Sequence, residues 1–148
     1  CVDFTGNEDI DSWEKITDEV RVCTGIRRLL DAGVSENNFT ISSDGQGSLP
    51  RFSPSGQYEG LGIGKASSLL KEVRECVMRE HLPLELALRA ITSNPARILK
   101  LNTKGHIAPG YDGDICLLHK DSLLLHTVIA KGRVMVRNSV PEVRGTFE

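Results

Sequence analysis

The chain has 148 residues, with 18 basic against 20 acidic for a formal net charge of −2, and 39% hydrophobic and 26% charged residues. That composition excludes a disordered tail or a collagen-like fibre. A balanced charge with no single-sign block gives no nucleic-acid footprint, and no apolar run nears the roughly 18 residues that span a bilayer.

The chain opens without Met as Cys1-Val2-Asp3-Phe4-Thr5-Gly6, a short strand already under way, as expected of a piece of a longer protein. Residues 7–18 are polar and acidic, with Trp13 as the expected anchor of a loop. Val20, Val22, Ile26, Leu29 and Leu30 recur at near-helical spacing before Gly33, a stop signal. Residues 39–43 then read as a second strand. Strand, helix and strand over about 40 residues is the size of a βαβ unit, so residues 2–5 and 39–43 are expected to be parallel.

Residues 44–64 carry Gly45, Gly47, Gly56, Gly60, Gly62 and Gly64 with Pro50 and Pro54, and read as one long functional loop. Within 64–81 the positions Leu69, Leu70, Val73, Val77 and Met78 predict an amphipathic helix. Pro83 is expected at the first position of the next helix, Leu84 to Ile91, and a third helical piece follows Asn94. Runs at 114–118, 126–130 and 133–136 are β-like, with Lys131-Gly132 as a tight hairpin turn. The change from helical to β period near 100–105 divides the chain into 1–104 and 105–148.

Cys1, Cys23, Cys76 and Cys116 include no C-x-x-C pair, and read as reduced, mostly buried thiols of a cytoplasmic protein. The sequon Asn38-Phe39-Thr40 falls in a strand expected to be buried, so glycosylation there is not expected.

The sharpest site signal is Ile41-Ser42-Ser43-Asp44-Gly45-Gln46-Gly47-Ser48. A carboxylate stands where a strand gives way to a glycine-rich loop, and parallel α/β proteins bind ligands at the carboxyl ends of their strands. An aspartate there suits metal ligation through hard oxygen, or proton abstraction from water. The structural alternative has Asp44 capping a turn, with Gly45 in the left-handed position.

Two further stretches bear on that choice. Thr92-Ser93-Asn94-Pro95-Ala96-Arg97-Ile98-Leu99-Lys100-Leu101 leads into Lys104-Gly105-His106-Ile107-Ala108-Pro109-Gly110-Tyr111-Asp112-Gly113-Asp114-Ile115, and Val128 to Val136 follows. Both resemble the carboxy-terminal signature of the amidohydrolase superfamily, with Gly113 where alanine is usual. Within that superfamily, Ser42 to Ser48 with Pro50, Phe52 and Gly56 is similar to the isoaspartyl (β-aspartyl) dipeptidase family, as are Val2 to Thr5, Lys131 to Val136 and Arg144 to Glu148.

The resemblance implies an α/β fold: the carboxy-terminal part of a (β/α)8 metal-dependent hydrolase barrel, comprising strands seven and eight with their helices, followed by strands of a small β-sandwich. It implies zinc-dependent hydrolysis of β-aspartyl dipeptides by the full-length protein, with two zinc ions, a small dipeptide substrate and a homo-oligomeric assembly. Asp44 is implied to be both catalytic and metal-ligating, taking a proton from the attacking water and passing it to the leaving amine. Ser48 is implied to contact substrate, and Gly45 and Gly47 to let the backbone come close. His81, His106, His119 and His126 have no His-x-His spacing and are assigned to structure or solvent. The remaining zinc ligands of the family are therefore missing from this chain, and the fragment alone is expected to be inactive. Two alternatives stay open. One is a cyclic amidase of the dihydroorotase or dihydropyrimidinase kind, against which Asp-Gly-Gln-Gly-Ser speaks. The other is a non-catalytic protein of the same fold.

Overall fold

The computed structural model describes residues 1–6, 18–53 and 55–145. The acidic stretch with Trp13 lies outside them. The chain folds as two compact units, Cys1–Pro95 and Ala96–Glu148.

The first unit is built on two parallel strands, β1 (Val2–Thr5) and β2 (Phe39–Ser42), paired Val2↔Phe39 through Thr5↔Ser42. Helix α1 (Val22–Asp31) connects them, and α2 (Ser68–Met78) packs on α1. Phe39 and Ile41 of β2 meet Val22, Cys23 and Ile26 of α1 and Val73 and Cys76 of α2 in one buried cluster. Burying each large apolar side chain contributes about 1.5–3 kcal/mol. Gly25 lies inside α1 because a Cβ there would stand 2.7 Å from the Phe4 ring. Arg21 pairs with Glu75 at 3.7 Å, and Thr24 donates to Glu80 at 2.7 Å, tying α1 to α2 and the residues after it. Gly33, at φ +81, follows the end of α1 as the sequence predicts.

The loop expected over 44–64 is instead an antiparallel hairpin, β3 (Ser48–Phe52) with β4 (Tyr58–Ile63). Gly60 and Gly62 lower the β-propensity of β4 and mask its alternation. Helix α2 is shorter than the expected 64–81, and its buried face is Ser68, Glu72, Val73 and Cys76, while Met78 is exposed. Pro83 sits at the N-cap of α3 (Leu84–Arg89) with ψ 136, one position earlier than expected. The outer edge of β2 is covered: Ile41 N–H donates to the Ala90 carbonyl at 3.0 Å, and Asn94 Nδ2 donates to the Phe39 carbonyl at 2.8 Å. Asn94 belongs to α4 (Ser93–Ile98).

In the second unit, β5 (Ile115–Leu118), β6 (Leu125–Ala130), β7 (Arg133–Arg137) and β8 (Val140–Pro141) form one antiparallel sheet in that order. The described residues thus give a single four-stranded sheet where sandwich strands are expected. Lys131 (φ 49) and Gly132 (φ 76) make the anticipated hairpin turn. Asn138 (φ 50) and Ser139 (φ 64) make a second, unanticipated one, held by Ser139 Oγ donating to the Leu125 carbonyl at 2.6 Å. Of the four thiols, Cys23 and Cys76 are buried but Cys1 and Cys116 are exposed, so "mostly buried" holds only in the helical core. Burial pushes the Cys76 thiol up to about 12. No described helix is long and apolar enough to cross a membrane.

Candidate active site at the end of strand β2

Strand β2 ends at Ser42, and two residues later the chain turns through Asp44 (φ 45) and Gln46 (φ 68). The left-handed conformations therefore fall on Asp44 and Gln46, and Gly45 does not carry one as the turn-cap alternative requires. Aspartate tolerates this region better than most side chains. The Gly47 N–H donates to the Asp44 carbonyl at 2.9 Å, closing the turn. Gln46 N–H donates to the Gly64 carbonyl at 2.9 Å and Gly64 N–H to the Gly47 carbonyl at 2.8 Å, so the turn is clamped to the far end of the hairpin.

Two glycines make room for Asp44. A Cβ on Gly47 would stand 2.7–2.8 Å from the three atoms of the Asp44 carboxyl group. A Cβ on Gly64 would stand 2.3 Å from the Asp44 carbonyl oxygen. Gly45 has a different role: its N–H donates to Ser43 Oγ at 3.2 Å. Ser48 opens β3, directly across from Ile63. Asp44, Gly45, Gly47 and Ser48 are thus gathered on one turn, with Asp44, Gly45 and Ser48 exposed. Gly64 is a site residue that the sequence pattern alone does not single out. The sequence shows it only as one of the glycines of the 44–64 stretch, and its contact with the Asp44 turn leaves no local signal.

The histidines lie elsewhere. His81 follows α2 with φ 53, and His106 packs edge-on against Tyr111 at 6.0 Å. His119 and His126 meet edge to face at 5.1 Å, and His126 Nδ1 lies 2.8 Å from Thr127 Oγ1. Among the described residues no three His, Cys, Asp or Glu side chains gather to hold a metal ion. The exposed Asp44 carboxylate is a hard oxygen donor suited to serve as one ligand of a divalent cation.

The stretch after α4 has a structural task. Lys104 Nζ bridges Asp112, at 2.8 Å, and Asp114, while Asp114 Oδ1 accepts from the Lys131 N–H at 2.7 Å. A Cβ at Gly113 would lie 3.2 Å from the Gly132 nitrogen, so glycine relieves a tight approach to the hairpin turn.

Comparison with known proteins bears on these observations. The chain is similar to the crystal structure of β-aspartyl dipeptidase from Fervidobacterium islandicum AW-1 in complex with the β-Asp-Leu dipeptide, at 33% identity and TM-score 0.74, over 97% of this chain and 36% of that one. A second structure of the enzyme from that organism matches at 28% identity and TM-score 0.73, over 97% of this chain and 33% of that one. N-acetylglucosamine-6-phosphate deacetylase from Pasteurella multocida shares the fold at 18% identity and TM-score 0.58, over 78% of this chain and 34% of that one. The chain spans about a third of the length of each of these proteins. The profile of the amidohydrolase family matches residues 12–138, most of the sequence and all of the turn that carries Asp44. With that match joined to the parallel strand pair and the aspartate at its carboxyl end, the chain belongs to the amidohydrolase family.

Proposed function

We propose that the chain is the carboxy-terminal part of a cytoplasmic, zinc-dependent β-aspartyl dipeptidase, in which β1 and β2 are strands seven and eight of a (β/α)8 barrel. The observation that carries this reading is the likeness, over 97% of the chain at 33% identity, to a dipeptidase solved with β-Asp-Leu. The Asp44 turn supports it, since barrel enzymes place their chemistry at the carboxyl ends of the strands. Two zinc ions would be held in part by Asp44, with the remaining ligands outside the described residues. Zinc, when bound, supplies Lewis-acid activation of water and carbonyl.

This chain's own residues then do three things. Asp44 accepts a proton from the water that attacks the isopeptide carbonyl, and delivers it to the amine as the C–N bond breaks. The exposed Ser48 hydroxyl donates to a charged group of the dipeptide and fixes its orientation. Gly45 and Gly47, having no side chains, let the backbone come close to the substrate. One carboxylate does not make a two-metal centre, so the 148-residue chain by itself is expected to be inactive. In the whole protein we also propose a homo-oligomer.

The test is Asp44→Asn in the full-length enzyme with β-Asp-Leu as substrate. An amide neither accepts the water proton nor binds zinc as an anion, so turnover falls about a thousandfold. Turnover at the wild-type rate would remove Asp44 from the mechanism.

A further inference from the structure

The two faces of the β1–β2 pair differ in kind. Phe4, Phe39 and Ile41 pack into the core with the helices. Asp3, Thr40 and Ser42 alternate with them and so project from the opposite face. There Thr40 Oγ1 donates to Asp3 Oδ1 at 2.5 Å, and Ser42 Oγ donates to Asp3 Oδ2 at 2.6 Å. One carboxylate thus uses both its oxygens to hold two hydroxyls, two residues apart, on the neighbouring strand.

Strand pairing alone does not call for this arrangement. The backbone ladder already sets the register, from Val2↔Phe39 to Thr5↔Ser42, and strands of parallel sheets are ordinarily apolar on both faces. Bonds from a hydroxyl to a carboxylate are shorter and roughly twice as strong as neutral ones. They are concentrated here on the last three residues of a four-residue strand, two positions before Asp44. The turn that carries Asp44, at φ 45, springs directly from the end of β2, so the placement of Ser42 sets where that turn begins.

We propose that Asp3 is a positioning residue. Through Thr40 and Ser42 its carboxylate fixes the end of β2, and with it the direction in which Asp44 presents its own carboxylate. The role rests on the reading of Asp44 as the catalytic base given above. Asp3 touches no reacting atom, and its effect reaches the chemistry only through the end of β2.

The test uses the full-length enzyme with three variants, Asp3→Ala, Ser42→Ala and Ser42→Thr. Steady-state kinetics with β-Asp-Leu are measured beside backbone hydrogen exchange. Loss of an outer-shell partner typically reduces activity about 10- to 100-fold, so kcat falls by that factor in Asp3→Ala and Ser42→Ala while KM stays nearly constant. Ser42→Thr keeps the hydroxyl in a strand that favours β-branching and retains kcat. In the two alanine variants the Gln46 and Gly47 amides exchange about tenfold faster, while those of α1 are unchanged. Ser42→Ala keeps the proposal falsifiable if Asp3→Ala fails to fold. Unchanged kcat and exchange would overturn the proposal. Equal acceleration in α1 and in the turn would also overturn it, because that marks a general loss of stability. A wild-type enzyme that cleaves no β-aspartyl dipeptide would refute the dipeptidase reading, while the exchange pattern would still decide whether Asp3 orders the turn.

Discussion

Asp44 holds its place because neighbouring residues lack side chains. Gly47 lies beneath its carboxyl group and Gly64 against its carbonyl, with no room for a methyl group at either position. The two glycines differ in what yields when that room is filled. At Gly64 the obstacle is backbone, fixed by the hydrogen bond from Gln46 and the one to Gly47. At Gly47 the obstacle is the exposed end of Asp44, which can swing into solvent, and the backbone of Gly47 is not left-handed. Gly47→Ala is therefore cheap for the fold and costly for the chemistry. On the proposed reading of Asp44 as the base, displacing a catalytic group by about 1 Å can cost a hundredfold, and kcat/KM for β-Asp-Leu in the full-length protein falls by about that factor. Stability changes by no more than about 0.5 kcal/mol. Kinetics beside a thermal melt check both halves, and a variant that loses stability but keeps its rate contradicts this account of Gly47.

At the scale of elements, β2 is held from the side by a residue of α4. Asn94 is 1% exposed, and its Nδ2 donates to the carbonyls of Glu36 and Phe39, both at 2.8 Å. Asn94→Ala leaves a buried carbonyl unpaired at the start of β2 and costs about 2–3 kcal/mol. A fall in the urea midpoint of the protein at constant slope measures it, and a change under about 0.5 kcal/mol would show that water replaces the amide. The motif containing Asn94 is legible in the sequence, but this task is not, because its partners lie 58 and 55 residues away in the chain. The same distinction separates the other elements. Helix α1 and strands β5 to β7 follow from apolar periodicity, and β1 and β2 from short apolar runs around a βαβ-sized gap. The β3–β4 hairpin is hidden because Gly60 and Gly62 occupy positions where strands usually carry side chains. Asp44 is legible because an acid at a strand end before glycines is local. The clamp of Gly64 on that turn depends on a contact between the two ends of the hairpin, which no local pattern records.

At the scale of the whole molecule, the two units are stabilised by different means. The first unit holds its helices around a buried apolar cluster. The second relies, at its start, on Lys104 between Asp112 and Asp114. Hydrogen bonds to these two carboxylates raise the Lys104 ammonium above its ordinary 10.5. The same bonds hold Asp112 and Asp114 below their ordinary 3.8, with the Lys131 N–H helping Asp114. A lowered carboxyl pKa gives a contribution that is complete above the ordinary carboxyl value and is lost as pH falls through the lowered folded value. A raised ammonium pKa gives one that is complete below the ordinary ammonium value and is lost as pH rises through the raised folded value. The contribution of this bridge is therefore flat between about pH 5 and 9 and declines beyond both ends. All three groups are solvated, so salt screens the bridge. Lys104→Met removes the principal cause of both carboxyl shifts. The Asp112 titration midpoint, followed by carboxyl NMR, then rises toward its ordinary 3.8 or beyond, as Asp114 faces it without the cation. Asp114 rises less, because the Lys131 N–H still donates to it. An Asp112 midpoint that stays at its wild-type position in Lys104→Met would mean that some group other than Lys104 sets the charge at the start of the second unit.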